Sequence, residues 1–329
     1  MFGSVTSSGW LVRIFGSRRW AGVLLGLLLI GAAPARSADV ALTFDDAPHF
    51  GKYRSVLDAR EVTARLLAGL KRNRLPAIGF VNESQLVGAD REGRIALLKM
   101  WLDAGFDLGN HTFSHISLTT TPVDLYIADV ERGEAVTKVL LAQHGKKESW
   151  FRHPYLDTGT TPEIRNRFEG WLAQHGYRVA PVTMENSDWA FADPYDDAVA
   201  RGDKAAAAHI RQAYLDYTAQ IVPWYRKAAI GLLGREPSFV FLMHASRLNA
   251  DSMDALAAIL RDNHLRAVTI DRAMRDPAYA VRDTTYAPDG KQWLTRWSLM
   301  LHKDLPWSEL PHVPPDIAEF AAKAQAAGE

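Results

Sequence analysis

From residue 40 onward, short runs of apolar, often β-branched residues alternate with longer stretches in which apolar positions return every three to four residues. The first kind reads as buried strands and the second as amphipathic helices, and their alternation is what a parallel sheet with helical crossovers produces. Seven strand runs are predicted: Val40 to Phe44, Ala77 to Val81, Phe106 to Gly109, Ser149 to Arg152, Tyr177 to Val182, Ser238 to Met243 and Arg266 to Ile270. Helices are predicted over Arg60 to Arg72, Ile95 to Ala104, Pro122 to Gln143, Thr161 to His175 and Met253 to Asp262. In the first of these the apolar stripe is Val62, Leu66, Leu67 and Leu70. Thr161-Pro162-Glu163 supplies a capping hydroxyl, a first-turn proline and an acid at a helix start, and Asn249-Ala250-Asp251 reads the same way.

Two stretches fall outside this rhythm. The interval 193–237 is too long for one crossover and mostly helical, over Ala198 to Ala208, His209 to Ile221 and Trp224 to Leu233, so it reads as an inserted helical subdomain or lid. Beyond Asp276 a tail with Trp293, Trp297 and Trp307 is expected to wrap over the barrel and end in an Ala-rich helix from Pro315. At the other end, Arg13, Arg18 and Arg19 precede an apolar run from Ala21 to Ala33, too short for the ~20 residues that span a bilayer. An export signal is the expectation, with an uncleaved anchor as the alternative. Ala33-Pro34-Ala35 and Ala35-Arg36-Ser37 are the candidate cleavage patterns, and the arginine pair fits either twin-arginine export or an ordinary basic leader. The organisation predicted is a signal over 1–37, an α/β domain over 38–276 with its insertion at 193–237, and a tail over 277–329 packed on the barrel.

Charge narrows the partners. Lys plus Arg and Asp plus Glu are 38 each in 329 residues, so no net field draws in nucleic acid or an anionic membrane, and a neutral substrate fits best. No stable membrane insertion is expected once the signal is removed. An apolar share of 47% supports a real core, and ten Trp suit core packing and sugar binding alike. Cysteine is absent, so any metal must sit on histidine and carboxylate.

In parallel βα folds functional groups gather where strands end. The first run ends in Asp45-Asp46-Ala47-Pro48. Alone, the acid pair reads as a solvated turn; adjacent carboxylates at a buried strand end need a cation or a proton between them. The third run ends in His111-Thr112-Phe113-Ser114-His115, and an i,i+4 histidine pair on one helical turn reaches a single ion. Two imidazoles and one carboxylate make a zinc set that leaves positions open for water and substrate. The fourth run ends in Arg152-His153-Pro154-Tyr155, the fifth is followed by Asp188-Trp189, and the sixth ends in Leu242-Met243-His244.

The ordered series Thr-Phe-Asp-Asp-x-Pro, His-Thr-x-Ser-His, Arg-x-Pro-Tyr, Asp-Trp and Leu-x-His resembles the polysaccharide deacetylase family, the NodB-homology group of carbohydrate esterase family 4, over roughly Val40 to Met274. The resemblance implies a distorted (β/α)7 barrel with a helical insertion before the sixth strand. It implies hydrolytic removal of acetyl groups from acetylated glycans, such as N-acetylglucosamine polymers of the chitin or peptidoglycan kind, or acetylated xylan. It makes Asp46, His111 and His115 the ligands of a divalent metal, with zinc expected, Asp45 the general base, and the Tyr155 backbone N–H an oxyanion donor. An amide's leaving amine must be protonated as it departs, which assigns the general acid to His244. Asp188 then holds His244, Arg152 pairs with Asp45 and keeps it ionised, and Trp189 walls the pocket.

The sequence departs from the family at Ala47, in place of a common Gly, and at His153 and Leu156, in place of Pro or another small residue and Gly. His153 is expected to line the pocket. An O-acetyl esterase and a non-catalytic glycan-binding barrel are the alternatives; the latter would be expected to lose Asp45 or His244, and both are present.

Overall fold

The computed structural model describes residues 37–51, 55–281 and 292–318. The predicted export segment, Ser37 excepted, lies outside the described residues, as does the Ala-rich end beyond residue 318. No helix among the described residues is long and apolar enough to cross a membrane.

The elements follow one another as β1 (Ala38–Phe50), α1 (Val56–Arg72), β2 (Ala77–Val81), α2 (Arg91–Asp103), β3 (Asp107–Asn110), α3 (Val123–Arg132), α4 (Thr137–Gln143), β4 (Trp150–Phe151) and α5 (Pro162–Gln174). Then come β5 (Arg178–Val179), β6 (Met184–Glu185), α6 (Asp188–Ala200), α7 (Lys204–Leu233), β7 (Phe239–Ser246), α8 (Arg247–Asp262), β8 (Leu265–Val268), α9 (Ile270–Ala273) and α10 (Trp293–Leu301). The strands form one parallel sheet in the order β5-β4-β3-β2-β1-β7-β6. Val40 and Ala41 pair with both β7 and β8, so β8 lies on the edge of β1 that β2 takes over from Leu42. This is a distorted (β/α)7 barrel. It stays open between β5 and β6, which no ladder joins among the described residues.

The gap has a local cause. The fifth predicted strand run contains Pro181, which has no N–H to give a ladder; within the run only β5 forms, before the proline, and β6 begins beyond the run's end at Val182. The C-terminal segment covers the break: the N–H of Trp293 donates to the Val182 carbonyl at 2.7 Å. α10 packs on α7, and Trp224 Nε1 donates to the Pro306 carbonyl at 3.0 Å.

Alternation along β1 sets what faces the barrel interior. Val40, Leu42 and Phe44 join the core under the helices, while Ala41 belongs to a separate interior cluster with Ile78, Phe80, Trp150 and Val240. With a side-chain period of two, Thr43 and Asp45 follow Ala41 into the interior. The stripe of α1 is buried as predicted, with Ser55 capping the Asp58 N–H, and Thr161 caps Ile164 at the start of α5.

Three helical expectations are corrected. The helix predicted over Pro122 to Gln143 is two, α3 and α4, divided by a turn over 133–136. The helix predicted from Met253, with Asn249 in its cap, starts at Arg247 and is capped by Ser246, whose hydroxyl accepts the Asn249 N–H; that frees the Asn249 side chain for other work. The three helices predicted between 198 and 233 are two, because α6 begins at Asp188 and α7 runs unbroken through Pro223. Proline removes one backbone bond, but buried side chains continue on both sides, from Ile210 and Tyr214 to Tyr225 and Leu232, and their packing holds the helix across the break.

Candidate active site

A cleft of about 660 Å³ opens where the strands end, and Asp45, Asp46, His111, His115, Tyr155, Trp189 and His244 all line it. Adjacent residues of a regular strand face opposite ways, so Asp45 and Asp46 need a device to share one cleft. β1 supplies it: the pairing with β2 shifts register between Phe44 and Ala47, and Asp46 sits there with φ 58°. The left-handed position in this turn is therefore Asp46 and not Ala47, which accounts for alanine being accepted where the family has Gly.

His111 follows β3 directly. Its Nδ1 lies 2.8 Å from the Arg152 carbonyl, so the proton belongs on Nδ1 and the Nε2 lone pair faces the cleft. That Nε2 is 3.8 Å from Asp46 Oδ1, and His115 Nε2 is 3.6 Å from the same oxygen. The helical turn expected for the histidine pair is absent. The loop instead carries Thr112 at φ 64° and His115 at φ 55°, and sets the rings 4.9 Å apart, edge to face. Side chains hold it in place: Asn110 accepts from the Thr112 N–H, the Thr112 hydroxyl from the His115 N–H, and Asp129 from Ser114.

Arg152, fully buried at the end of β4, approaches Asp45 Oδ2 at 3.7 Å and donates to the Thr43 hydroxyl at 2.9 Å. Tyr155 adopts φ 55° in the turn after Pro154, with its ring 4.5 Å from that of His115. Its backbone N–H is among the first of that turn, the position that has no partner within it.

β7 brings the second proton-carrying candidate: Asp45 and His244 are register partners on adjacent strands. Asp188, the first residue of α6, accepts from both the His244 backbone N–H at 2.7 Å and its Nδ1 at 2.8 Å. The Asn249 amide also donates to Asp188, so three donors fix one buried carboxylate. Phe50 covers the imidazole, with ring centroids 4.4 Å apart.

Electrostatics separates these groups. Burial pushes Asp45 up to about 6, with Arg152 and His244 pulling the other way. Burial alone would hold His244 down, but Asp188, and after it Asp46 and Asp45, lift it to about 9. His111 is kept neutral, well below the ordinary histidine range, by burial and by His115. Arg152, the expected partner of Asp45, thus moderates the rise that burial causes.

The donor chemistry suits a divalent cation. Asp46, His111 and His115 each offer one ligand atom, all within 4.8 Å of one another, and the tautomer of His111 leaves the nitrogen on that side free.

Several cleft residues lay beyond the reach of sequence patterns. Glu185 from β6 and Gln292 and Thr295 from the C-terminal segment line one wall with Asp193 and Pro194 of α6. Gln292 and Thr295 lie far along the chain from the last strand, with no local signal. Thr43 was readable from its alternation with Asp45. Asn249 looked like a cap and is a brace. His153 does not line the cleft: it is buried beneath it, packed edge to face on Phe151 and Phe168, and burial together with Arg296 and Arg152 holds it down to about 3.

Residues 32–180 match the sequence model described as polysaccharide deacetylase. Over 158 residues, 48% of this chain and 49% of the relative, the chain is 27% identical to a peptidoglycan-N-acetylglucosamine deacetylase of Bacillus cereus, and so spans about half the length of that relative. Among solved structures, the chitin deacetylase of the fungal pathogen Colletotrichum lindemuthianum aligns with a TM-score of 0.50 at 19% identity, covering 72% of this chain and 88% of that one. A polysaccharide deacetylase from Bacillus cereus aligns at 22% identity over 70% of this chain and 91% of that one, with a TM-score of 0.48. The likeness to the fungal structure speaks to the fold. Asp45 through Tyr155 fall inside the family match, whereas Asp188, Trp189 and His244 lie beyond it and join the cleft through the fold.

Proposed function

We propose that this chain, which belongs to the polysaccharide deacetylase family through residues 32–180, is an exported metal-dependent hydrolase that removes acetyl groups from N-acetylated glycans. The observation that carries the reading is the pairing of Asp45 with an Asp188-held His244 on adjacent strands, beside three donors suited to one cation. Asp46, His111 and His115 would hold that cation, with zinc first among the candidates for a two-imidazole, one-carboxylate set. When bound it supplies Lewis acidity, lowering the pKa of water and polarising the acetyl carbonyl.

The protein's own groups do the rest. Asp45 takes the proton from the attacking water. The Tyr155 N–H donates to the carbonyl oxygen as negative charge develops there. His244 gives its Nε2 proton to the departing nitrogen, while Asp188 holds Nδ1 and stabilises the charged imidazole. Trp189 closes the cleft side and Phe50 shields His244 from water. The arginines and the apolar run read as an export signal over 1–37 support an exported location.

Two tests follow. Metal-stripped protein is expected to release no acetate from N-acetylglucosamine oligomers until zinc is restored. Release only from acetylated xylan would make it an ester hydrolase, and release from neither would favour a glycan-binding barrel. Second, activity is expected to rise with pH as Asp45 loses its proton near 6 and to fall as His244 loses its own near 9. Asp188→Asn removes the charge that lifts His244, so the falling limb should move to lower pH, by about one unit or more for a charged hydrogen-bond partner. A pH–rate profile with an unmoved falling limb would exclude His244 as the acid.

A further inference from the structure

Glu185 is a carboxylate for which neither the metal set nor the proton carriers have a use. It stands on β6, in register with Leu242 two residues before His244, and lines the cleft half-buried. Gln292 Nε2 donates to its Oε1 at 3.0 Å and reaches the Tyr225 hydroxyl at 2.6 Å, so the C-terminal segment and α7 jointly brace it. An amide is a neutral donor and leaves the charge of a half-buried carboxylate uncompensated. None of the described residues lining the cleft is Lys or Arg, and His244, the cation that does act on Glu185, is itself held by Asp188. Burial and Asp188 push Glu185 above the ordinary carboxylate range while His244 pulls the other way, so a cationic ligand would supply the charge that this wall's own residues lack.

We propose that Glu185, braced by Gln292, is a specificity residue that receives a free sugar ammonium, so that glycans already bearing amines are taken in preference to fully acetylated or anionic ones. The inference rests on the deacetylase reading for its substrate and deepens it. Hydrolysis of one acetamide creates such an ammonium, so each product becomes a better ligand for attack on the next sugar. A uronate or other carboxylate-bearing sugar meets only like charge on this wall and is disfavoured.

The test compares acetate release from a fully N-acetylated glucosamine tetramer, the same tetramer with one free amine, and a uronate-bearing N-acetylated tetramer, using zinc-loaded protein and Glu185→Gln. In the unaltered protein, kcat/KM per acetyl group should be about tenfold higher for the amine-bearing tetramer than for the fully acetylated one, the size of one partly buried charge pair, and lowest for the uronate. In Glu185→Gln the amine preference should fall to about one, whatever happens to the absolute rates. An unchanged preference in the variant, or none in the unaltered protein, overturns the proposal. Calorimetry with the fully deacetylated tetramer, which holds no acetyl group, separates the two layers: about tenfold weaker binding to Glu185→Gln supports the assignment even if no oligomer is hydrolysed, a result that would sink the deacetylase reading instead.

Discussion

Asp45→Asn is expected to lower kcat for acetate release from N-acetylglucosamine oligomers by about 10²- to 10⁴-fold, the usual contribution of a positioned general base. Asparagine keeps the volume and can still accept a hydrogen bond, but it cannot take the proton of the attacking water. Asp46, His111 and His115 are untouched, so the variant should still carry close to one zinc per chain by elemental analysis. The same change leaves Arg152 without its carboxylate partner in a fully buried position, with the Thr43 hydroxyl and the face of Phe80 at 4.9 Å as its side-chain contacts among the described residues. A buried charge that loses its partner destabilises the fold, so the melting temperature should fall as well, and the rates must be measured well below it. Activity within about tenfold of the unaltered protein, at full zinc content, would mean that another group takes the proton.

His244→Ala should separate an amide substrate from an acetyl ester. An amine is a poor leaving group unless protonated, so loss on an amide substrate is expected at about 10²- to 10³-fold. An acetyl ester expels an alkoxide more readily and should lose at least tenfold less. The variant ought to fold, because Asp188 keeps the backbone N–H of residue 244 and the Asn249 amide as donors. Equal losses on both substrates would show that the imidazole shapes the cleft and carries no proton to the leaving group; an intact ester activity with no amide activity in the unaltered protein would turn the assignment toward an esterase.

Much of this was legible from one dimension because strand ends in a parallel barrel converge. Each apolar run told where a strand stops, and the residues just past it were, by geometry, near one another. β2 matches its predicted span, since a five-residue run buried almost throughout leaves no ambiguity of phase. What failed did so for local reasons. The i,i+4 spacing of His111 and His115 suggested a helical turn, yet two left-handed residues and a net of side-chain hydrogen bonds bring the same rings together by another path. Pro181 cuts short a strand run that composition alone carries to Val182. His153 looked like cleft lining because it sits in the motif, but alternation past Arg152 turns it down among phenylalanines. The wall built by Glu185, Gln292 and Thr295 joins segments over 100 residues apart, which no periodicity reports.

The C-terminal segment that bridges the gap between β5 and β6 also separates the order of synthesis from the order of completion. A nascent chain holds Asp46, His111 and His115 once His115 is made, yet His244, the register partner of Asp45, arrives only with β7, and the wall only once Thr295 has been translated. A growing polypeptide can thus own a cation-binding corner long before it owns a working cleft, and the segment that carries Gln292 and Thr295 finishes the cleft wall.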